Sequence, residues 1–150
     1  MTRLDDKAAG GATVRRTQRG AAAVEFAIVA AVFFMILLGA IEMSRLLWTW
    51  NAAVEATRLG ARLAVVCDLN AAVIRTRMRQ MLPALNNGNI TVTYLPGGCT
   101  AQTCRSVSVT LAGYNHVPII PLVPLSIPIQ PFTTSLPREY MQSAGNPICT

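Results

Sequence analysis

The sequence predicts an α+β fold, with a long N-terminal helix, a short second helix and a small antiparallel β domain. Three patterns predict it. From Ala21 to Ile41 the chain carries a single charged residue, Glu25. Apolar residues then recur at three- and four-residue intervals as far as Val66, which is the period of an amphipathic helix. Later, two short stretches alternate apolar with polar residues, as half-buried strands do.

The run from Ala21 to Ile41 predicts one membrane span, because a helix needs about 20 apolar residues to cross a bilayer core of about 30 Å. The composition agrees with contact to lipid, since 52% of the 150 residues are hydrophobic and only 13% are charged. A later apolar stretch, residues 117–132, carries five prolines. It therefore cannot cross a membrane as a helix.

Positive charges set the orientation of this span. Lys7, Arg15, Arg16 and Arg19 precede it within about 15 residues, whereas only Arg45 follows it within the same distance. The N-terminus is therefore expected in the cytoplasm and the rest of the chain outside it. The net charge of +6 reflects this topology. Because no basic stretch is interleaved with aromatic residues, nucleic acid is not expected as a partner.

The long helix is expected to continue to Val66 with one apolar and one solvated side. The apolar side is formed by Met43, Leu46, Trp50, Ala53, Val54, Thr57, Ala61 and Ala64, and the solvated side by Asn51, Glu55, Arg58 and Arg62. Acidic and basic residues three positions apart are expected to pair, namely Glu42 with Arg45 and Glu55 with Arg58. Trp48 and Trp50 follow the span closely, where indole rings favour the membrane interface. Trp50 also lies on the apolar side, so packing is an equal alternative for it.

A second helix is expected from Ala71 to Leu82, with Asn70 as its N-cap. Two strands follow, one around Ile90, Val92 and Tyr94 and one around Val107, Val109 and Leu111. A loop that contains Pro96, Gly97 and Gly98 joins them.

The prolines of residues 117–132 force an extended backbone and remove hydrogen-bond donors. This segment is expected to be a covering loop or a sheet edge, and docking on a partner or on the membrane surface is the alternative. A last strand is expected from Phe132 to Met141, and Pro137 confines it to an edge.

Four cysteines follow the span, and all of them fall on the predicted outer side, where disulfides persist. Three pairings are possible. We favour Cys99 with Cys104, which closes the short CTAQTC loop, and Cys67 with Cys149, which ties the chain end to the helical part. A four-thiolate zinc site is the competing use, but the sequence lacks a CxxC spacing, and we expect no metal.

The residues around the start of the span resemble a known processing motif. Basic residues precede Gly20, and AAAVEF then places a glutamate, Glu25, at the fifth position and Phe26 after it, ahead of an unbroken apolar helix. This arrangement resembles the motif of type IV pilin-like precursors. More narrowly, residues 15–66 resemble the TadE/TadG-like pseudopilins of tight-adherence (Tad, or Flp) pilus systems. The resemblance includes two further motifs, formed by Glu42 and Arg45 and by Gly60, Ala61 and Arg62.

The resemblance implies a pilin-like fold and a minor pilin or pseudopilin function. A prepilin peptidase would cut on the cytoplasmic side after Gly20 and leave Ala21 as the new N-terminus. The implied partners are this peptidase, other pilin-like subunits, the pilus assembly platform and the membrane. The implied location is the bacterial inner membrane, or a pilus. The chain then divides into a cytoplasmic basic leader (1–20), a transmembrane and amphipathic helix (21–66) and a small extracytoplasmic α+β domain (67–150).

Processing would give the carboxylate of Glu25 a role. Glu25 lies about 6 Å along the helix from Ala21. Near the membrane interface its charge can snorkel, whereas an acidic residue at the membrane centre costs about 2.5 to 3.5 kcal/mol or more. Cleavage creates an α-amine at Ala21, and the Glu25 of a neighbouring subunit can pair with it, which sets the register of assembly. The alternative is a glutamate that snorkels from an ordinary signal anchor.

No pattern in the sequence predicts catalysis. His116 is the only histidine and is expected as a surface or loop residue, and neither a Gly-x-Ser-x-Gly motif nor a phosphate-binding glycine loop occurs. We therefore expect no enzyme activity and no cofactor. Two alternatives to a pseudopilin remain, an uncleaved single-pass membrane-anchored binding module and a secreted disulfide protein released from its signal.

Overall fold

The computed structural model describes residues 14–119 and 126–150, with side chains from Gly20 onward. The helices are α1 (Val14–Val66) and α2 (Ala72–Met81), and the strands are β1 (Ile90–Leu95), β2 (Ser106–Leu111), β3 (Asn115–His116), β4 (Ile127–Pro128) and β5 (Phe132–Pro137). Two short 3₁₀ turns occupy Asn87–Asn89 and Pro147–Cys149. The predicted α+β, pilin-like architecture is confirmed. Lys7 of the predicted leader and Pro121 and Pro124 of the proline-rich segment lie outside the described residues.

The chain forms two compact units, of which the first ends at Ile41 and the second is Glu42–Thr150. In the first unit, the described side chains of α1 are exposed, apart from a half-buried Ala30. By length and composition, this part of α1 can cross a membrane. From Gly20 onward this part of α1 is apolar on almost all sides and its described side chains are exposed, which suits a lipid environment. The division into leader, long helix and outer domain stays a prediction.

In the second unit, small residues of α1 pack against the sheet. Ala53, Ala56, Ala61 and Ala64 are fully buried beside Val107 and Val109 of β2. Alanine and glycine let a helix backbone approach a sheet closely, and the buried apolar area drives this packing. The amphipathic pattern predicted this side of the helix.

The predicted apolar side is not buried along its whole length. Met43 is exposed, because it precedes the part of α1 that the sheet covers. That cover begins at Trp50, whose ring meets Phe132 of β5 edge to face with centroids 5.0 Å apart. Trp50 packs on one side through this contact and is 39% exposed, whereas Trp48 is 63% exposed.

The main sheet has the strand order β1-β2-β5, and both pairs are antiparallel. Val92 pairs with Val109, which pairs with Thr134, so these three residues share the face that covers α1. The two strands predicted from alternation are confirmed. β5 lies at the edge as predicted, but it ends at Pro137 rather than Met141, because proline cannot donate a ladder hydrogen bond. A second, two-stranded sheet pairs β3 with β4.

The predicted start of the second helix is wrong by one residue. Ala71 occupies the N-cap position of α2 and makes no side-chain cap. Asn70 instead has a φ of 58°, and its N–H donates to the Tyr94 hydroxyl at 2.8 Å. Asparagine tolerates the left-handed region better than most residues, so it serves here as a turn residue rather than a cap.

Two disulfides join the cysteines in the pairing that the sequence favours. Cys67 bonds to Cys149 across a separation of 82 residues, and Cys99 bonds to Cys104 across five. The first links the end of α1 to the final 3₁₀ turn, and the second closes the loop between β1 and β2.

Candidate functional site

The predicted processing residues lie within the continuous helix α1. Because α1 begins at Val14, the helix runs through Gly20 and Ala21 without a break. Glu25 and Phe26 follow about one turn later, and both are exposed. The described side chains of the first unit therefore do not bury the Glu25 carboxylate or the Phe26 ring.

No packing contact of the described residues requires glycine at position 20. A Cβ built on Gly20 would meet no heavy atom within 4 Å. Glycine within a helix costs about 1 kcal/mol relative to alanine, so it weakens α1 locally at this position.

At the start of the second unit, Glu42 is the centre of a polar cluster. Its Oε1 accepts from the Arg45 guanidinium at 2.6 Å and from the Ile119 backbone N–H at 3.0 Å. Its Oε2 lies 3.5 Å from Nε2 of His116. The predicted Glu42–Arg45 pair is present, and the structure adds two partners that are distant in sequence.

His116 is buried, so the expectation of a surface or loop position was wrong. Its side chain is only 3% exposed and sits on β3. Glu42 Oε2 and His116 Nε2 are buried, and neither atom has a hydrogen-bond partner among the described residues. No local signal could have revealed this contact, because the two residues are more than 70 positions apart.

The environment of Glu42 favours its ionised form. The hydrogen bond from the Ile119 N–H lowers the pKa of the Glu42 carboxyl below its usual 4.5, and Arg45 lowers it further, while burial acts in the opposite direction. A carboxylate is therefore held between a guanidinium and a backbone donor. The cluster fixes the segment after β3 to the first turn of α1 in the second unit.

The second family-like motif has a packing role. A Cβ on Gly60 would lie 2.5 Å from Met78 Sδ and 3.2 Å from Val109 Cγ1. Ala61 is fully buried, and Arg62 is exposed. Gly60 thus marks a close approach of α1 to α2 and β2. It lies about 27 Å along α1 from Glu42, so the structure does not bring the two motifs together.

Residues 20–62 match the family model described as TadE-like protein. This stretch of α1 is similar to that family. The match begins at Gly20 and includes Glu25, Glu42, Arg45 and Gly60, and it is consistent with a TadE/TadG-like pseudopilin. It covers less than a third of the chain and stops before the disulfide-linked part. No curated protein and no solved structure matches the chain.

The TadE-like helix and the rest of the described chain offer no obvious metal centre. Within residues 14–119 and 126–150, no group of three or more histidine, cysteine, aspartate or glutamate residues could hold a metal ion. The four cysteines are all engaged in disulfides. The candidate functional residues that remain are those predicted from the sequence along α1, namely Gly20, Ala21, Glu25 and Phe26.

Proposed function

We propose that this protein is a minor pilin or pseudopilin of a Tad (Flp) pilus assembly system, a structural subunit rather than a catalyst. The observation that carries the proposal is the TadE-like match, which begins at Gly20 and continues along an exposed apolar helix. A prepilin peptidase cuts after Gly20, and the helix from Ala21 anchors the subunit in the inner membrane. The domain beyond the span faces the outside of that membrane.

Assembly follows from the electrostatics of the new N-terminus. Cleavage frees a positive α-amine on Ala21, and Glu25 carries a negative charge about one helical turn away. In an apolar bundle of helices, an unpaired charge is strongly destabilising, so the Ala21 amine of one subunit pairs with the Glu25 of its neighbour. Phe26 and the surrounding apolar residues, which are exposed in the isolated chain, supply the packing surface. The assembly platform and other pilin-like subunits are the partners.

N-terminal sequencing of the membrane-purified protein tests the processing step. We expect Ala21 as the first residue in cells that contain the peptidase. Gly20→Ala should slow or abolish the cut, because it stabilises the helix at the scissile bond by about 1 kcal/mol and adds a side chain at the cut. Gly39→Ala is a matched control, since Gly39 lies in the same helix with equally open space. An intact N-terminus in the parent protein would contradict processing and would support the alternative, an uncleaved membrane-anchored module.

The role of Glu25 in assembly is tested by Glu25→Ala. We expect the variant to insert into the membrane and to be cut normally, yet to lose co-purification with other pilin-like subunits, because the freed amine then lacks its partner. Glu55→Ala is the matched control, since Glu55 is an exposed glutamate of α1 that pairs only within its own helix, with Arg58 at 2.7 Å. Normal co-purification of Glu25→Ala would contradict the role of Glu25 in setting register, and it would not affect the proposal of cleavage after Gly20.

A further inference from the structure

Large apolar side chains are exposed where α1 enters the second unit. We call the set the collar, which consists of Met43, Leu47, Trp48, Val117 and Ile119. Their side chains are 57–70% exposed. Such a cluster is unusual on a water-facing surface and marks an interaction site.

The two parts of the collar are fixed to each other. Three of its residues belong to α1, and Val117 and Ile119 follow β3. The Ile119 N–H donates to Glu42 Oε1 at 3.0 Å, and Trp48 and Val117 line one shallow groove. The hydrogen bonds of Glu42 Oε1 therefore hold the two parts together, while the apolar side chains of the collar are exposed.

The depth of the collar matches the interfacial layer of a bilayer. Glu42 directly follows the predicted span, which ends at Ile41. The headgroup layer is about 5 to 8 Å thick on each side of the hydrocarbon core. Trp48 lies about 9 Å along the helix from Glu42, so the collar spans this layer. Tryptophan favours that depth, because its ring is apolar and its N–H is polar.

We propose that the collar seats the outer domain on the outer leaflet of the membrane, with lipid headgroups and the upper acyl chains as its ligand. A lipid is favoured over a second protein because the collar continues directly, along the chain, from the exposed apolar residues that end at Ile41. Arg45, 39% exposed at the collar, can contact lipid phosphates. This inference rests on the membrane insertion that the proposed function requires.

The test uses single tryptophans in the full chain. The sequence has only two tryptophans, so a Trp48→Phe, Trp50→Phe background leaves none. Ile119→Trp then reports from the collar. Its side chain is exposed and only its backbone holds the Glu42 bond, so the fold is retained. The protein is reconstituted into phosphatidylcholine–phosphatidylglycerol vesicles whose acyl chains are brominated near the headgroup or deep in the core.

Two control probes bracket the collar. Phe33→Trp reports from the middle of the predicted span. Tyr140→Trp reports from a side chain that is 77% exposed, and the neighbouring Glu139 N–H donates to the Val65 carbonyl at 3.3 Å. Val65 lies about 35 Å along α1 from Glu42, so this probe should stay in water.

We expect shallow bromines to remove most of the emission of Ile119→Trp and to leave Tyr140→Trp unchanged. If Phe33→Trp is quenched by deep bromines but Ile119→Trp is not quenched, the collar does not touch lipid and the inference is overturned, while the anchored subunit stands. If Ile119→Trp is instead shielded from aqueous iodide only at high protein density, the ligand is a second copy. If Phe33→Trp is also unquenched, membrane insertion itself fails.

Discussion

A single missing side chain at Gly60 decides how closely α1 packs in the second unit. The sequence marks Gly60 only as part of a family-like motif. The structure explains it, because Met78 of α2 and Val109 of β2 occupy the space that a Cβ would need. Both of these neighbours are fully buried, so neither can easily move away.

Gly60→Val should therefore destabilise the second unit by about 1–3 kcal/mol, the usual cost of overpacking a filled core. Gly97→Val is the control, since a Cβ at Gly97 meets nothing within 4 Å, and its effect should stay within about 0.5 kcal/mol. Urea unfolding of the full chain in detergent micelles, followed by near-UV circular dichroism, measures both. Equal stability of the two variants would show that the core near Met78 is loose.

At the residue scale, the limits of sequence reasoning are visible at Asn70 and His116. Asn70 has the right residue type and position for a helix cap, but the Tyr94 hydroxyl binds its N–H and places it in a turn. That hydroxyl belongs to a residue of β1, so the sequence around Asn70 could not show that a turn would be favoured over a helix cap. His116 likewise became a buried partner of Glu42 only through the tertiary fold.

At the scale of elements, periodicity predicted nearly everything that packs by hydrophobicity. The alternation of Ile90 to Tyr94 and of Val107 to Leu111 predicted β1 and β2, and the helical period predicted the buried side of α1. The β3–β4 pair was missed, because each strand has only two residues and so shows no period. The proline-rich segment between them also hid the pairing, since prolines argue against strands.

The contact of β3 with α1 depends on the charge of Glu42, so it should depend on pH. Because the folded state lowers the pKa of Glu42 below 4.5, ionised Glu42 stabilises the fold fully above about pH 4.5, and this stabilisation is lost as the pH falls through the lowered pKa. Arg45 and His116 are the other charged or titratable groups that face the carboxylate. Acid should therefore release the segment after β3 from α1.

Melting temperatures of the full chain in micelles, measured from about pH 6 to about pH 3, test this dependence. Glu42→Gln keeps an oxygen acceptor for the Ile119 N–H but cannot titrate, so its loss of stability in acid should be smaller than that of the parent. Glu55→Gln is the control, since both side chains of the Glu55–Arg58 pair are more than half exposed and such pairs contribute little. If the melting temperatures of the parent and of Glu42→Gln fall equally as the pH is lowered, the charge of Glu42 does not hold the segment after β3 to α1.

At the scale of the whole molecule, the TadE-like match ends at residue 62, while the disulfides begin at Cys67. The family match thus lies within the long helix, and the disulfides lie in the part of the chain that follows this match. Disulfides persist in oxidising compartments, which agrees with the outward orientation that the flanking arginines predict. The sequence could favour this pairing, since Cys99 and Cys104 are close in the chain, but the placement of Cys149 against the end of α1 required the fold.

The two disulfides should differ in their effect on stability, because they close loops of different length. In the chain-entropy model, a link across 82 residues, as in Cys67–Cys149, stabilises by about 4.5 kcal/mol, and one across five residues, as in Cys99–Cys104, by about 2 kcal/mol. Double alanine variants of each pair are matched, since each removes one buried and one half-buried sulfur.

Urea unfolding of both variants in micelles should place the Cys67/Cys149 variant lower by about 2 to 3 kcal/mol, a difference that follows from loop length. The long link joins the end of α1 to the last turn of the chain, so its removal frees both the terminal segment and the end of the helix that the outer domain packs on. If the Cys99/Cys104 variant proves the less stable of the two, the short loop holds the β1–β2 hairpin in a way that chain entropy does not describe. The Cys99–Cys104 disulfide would then contribute more to the stability of the second unit than the Cys67–Cys149 disulfide does.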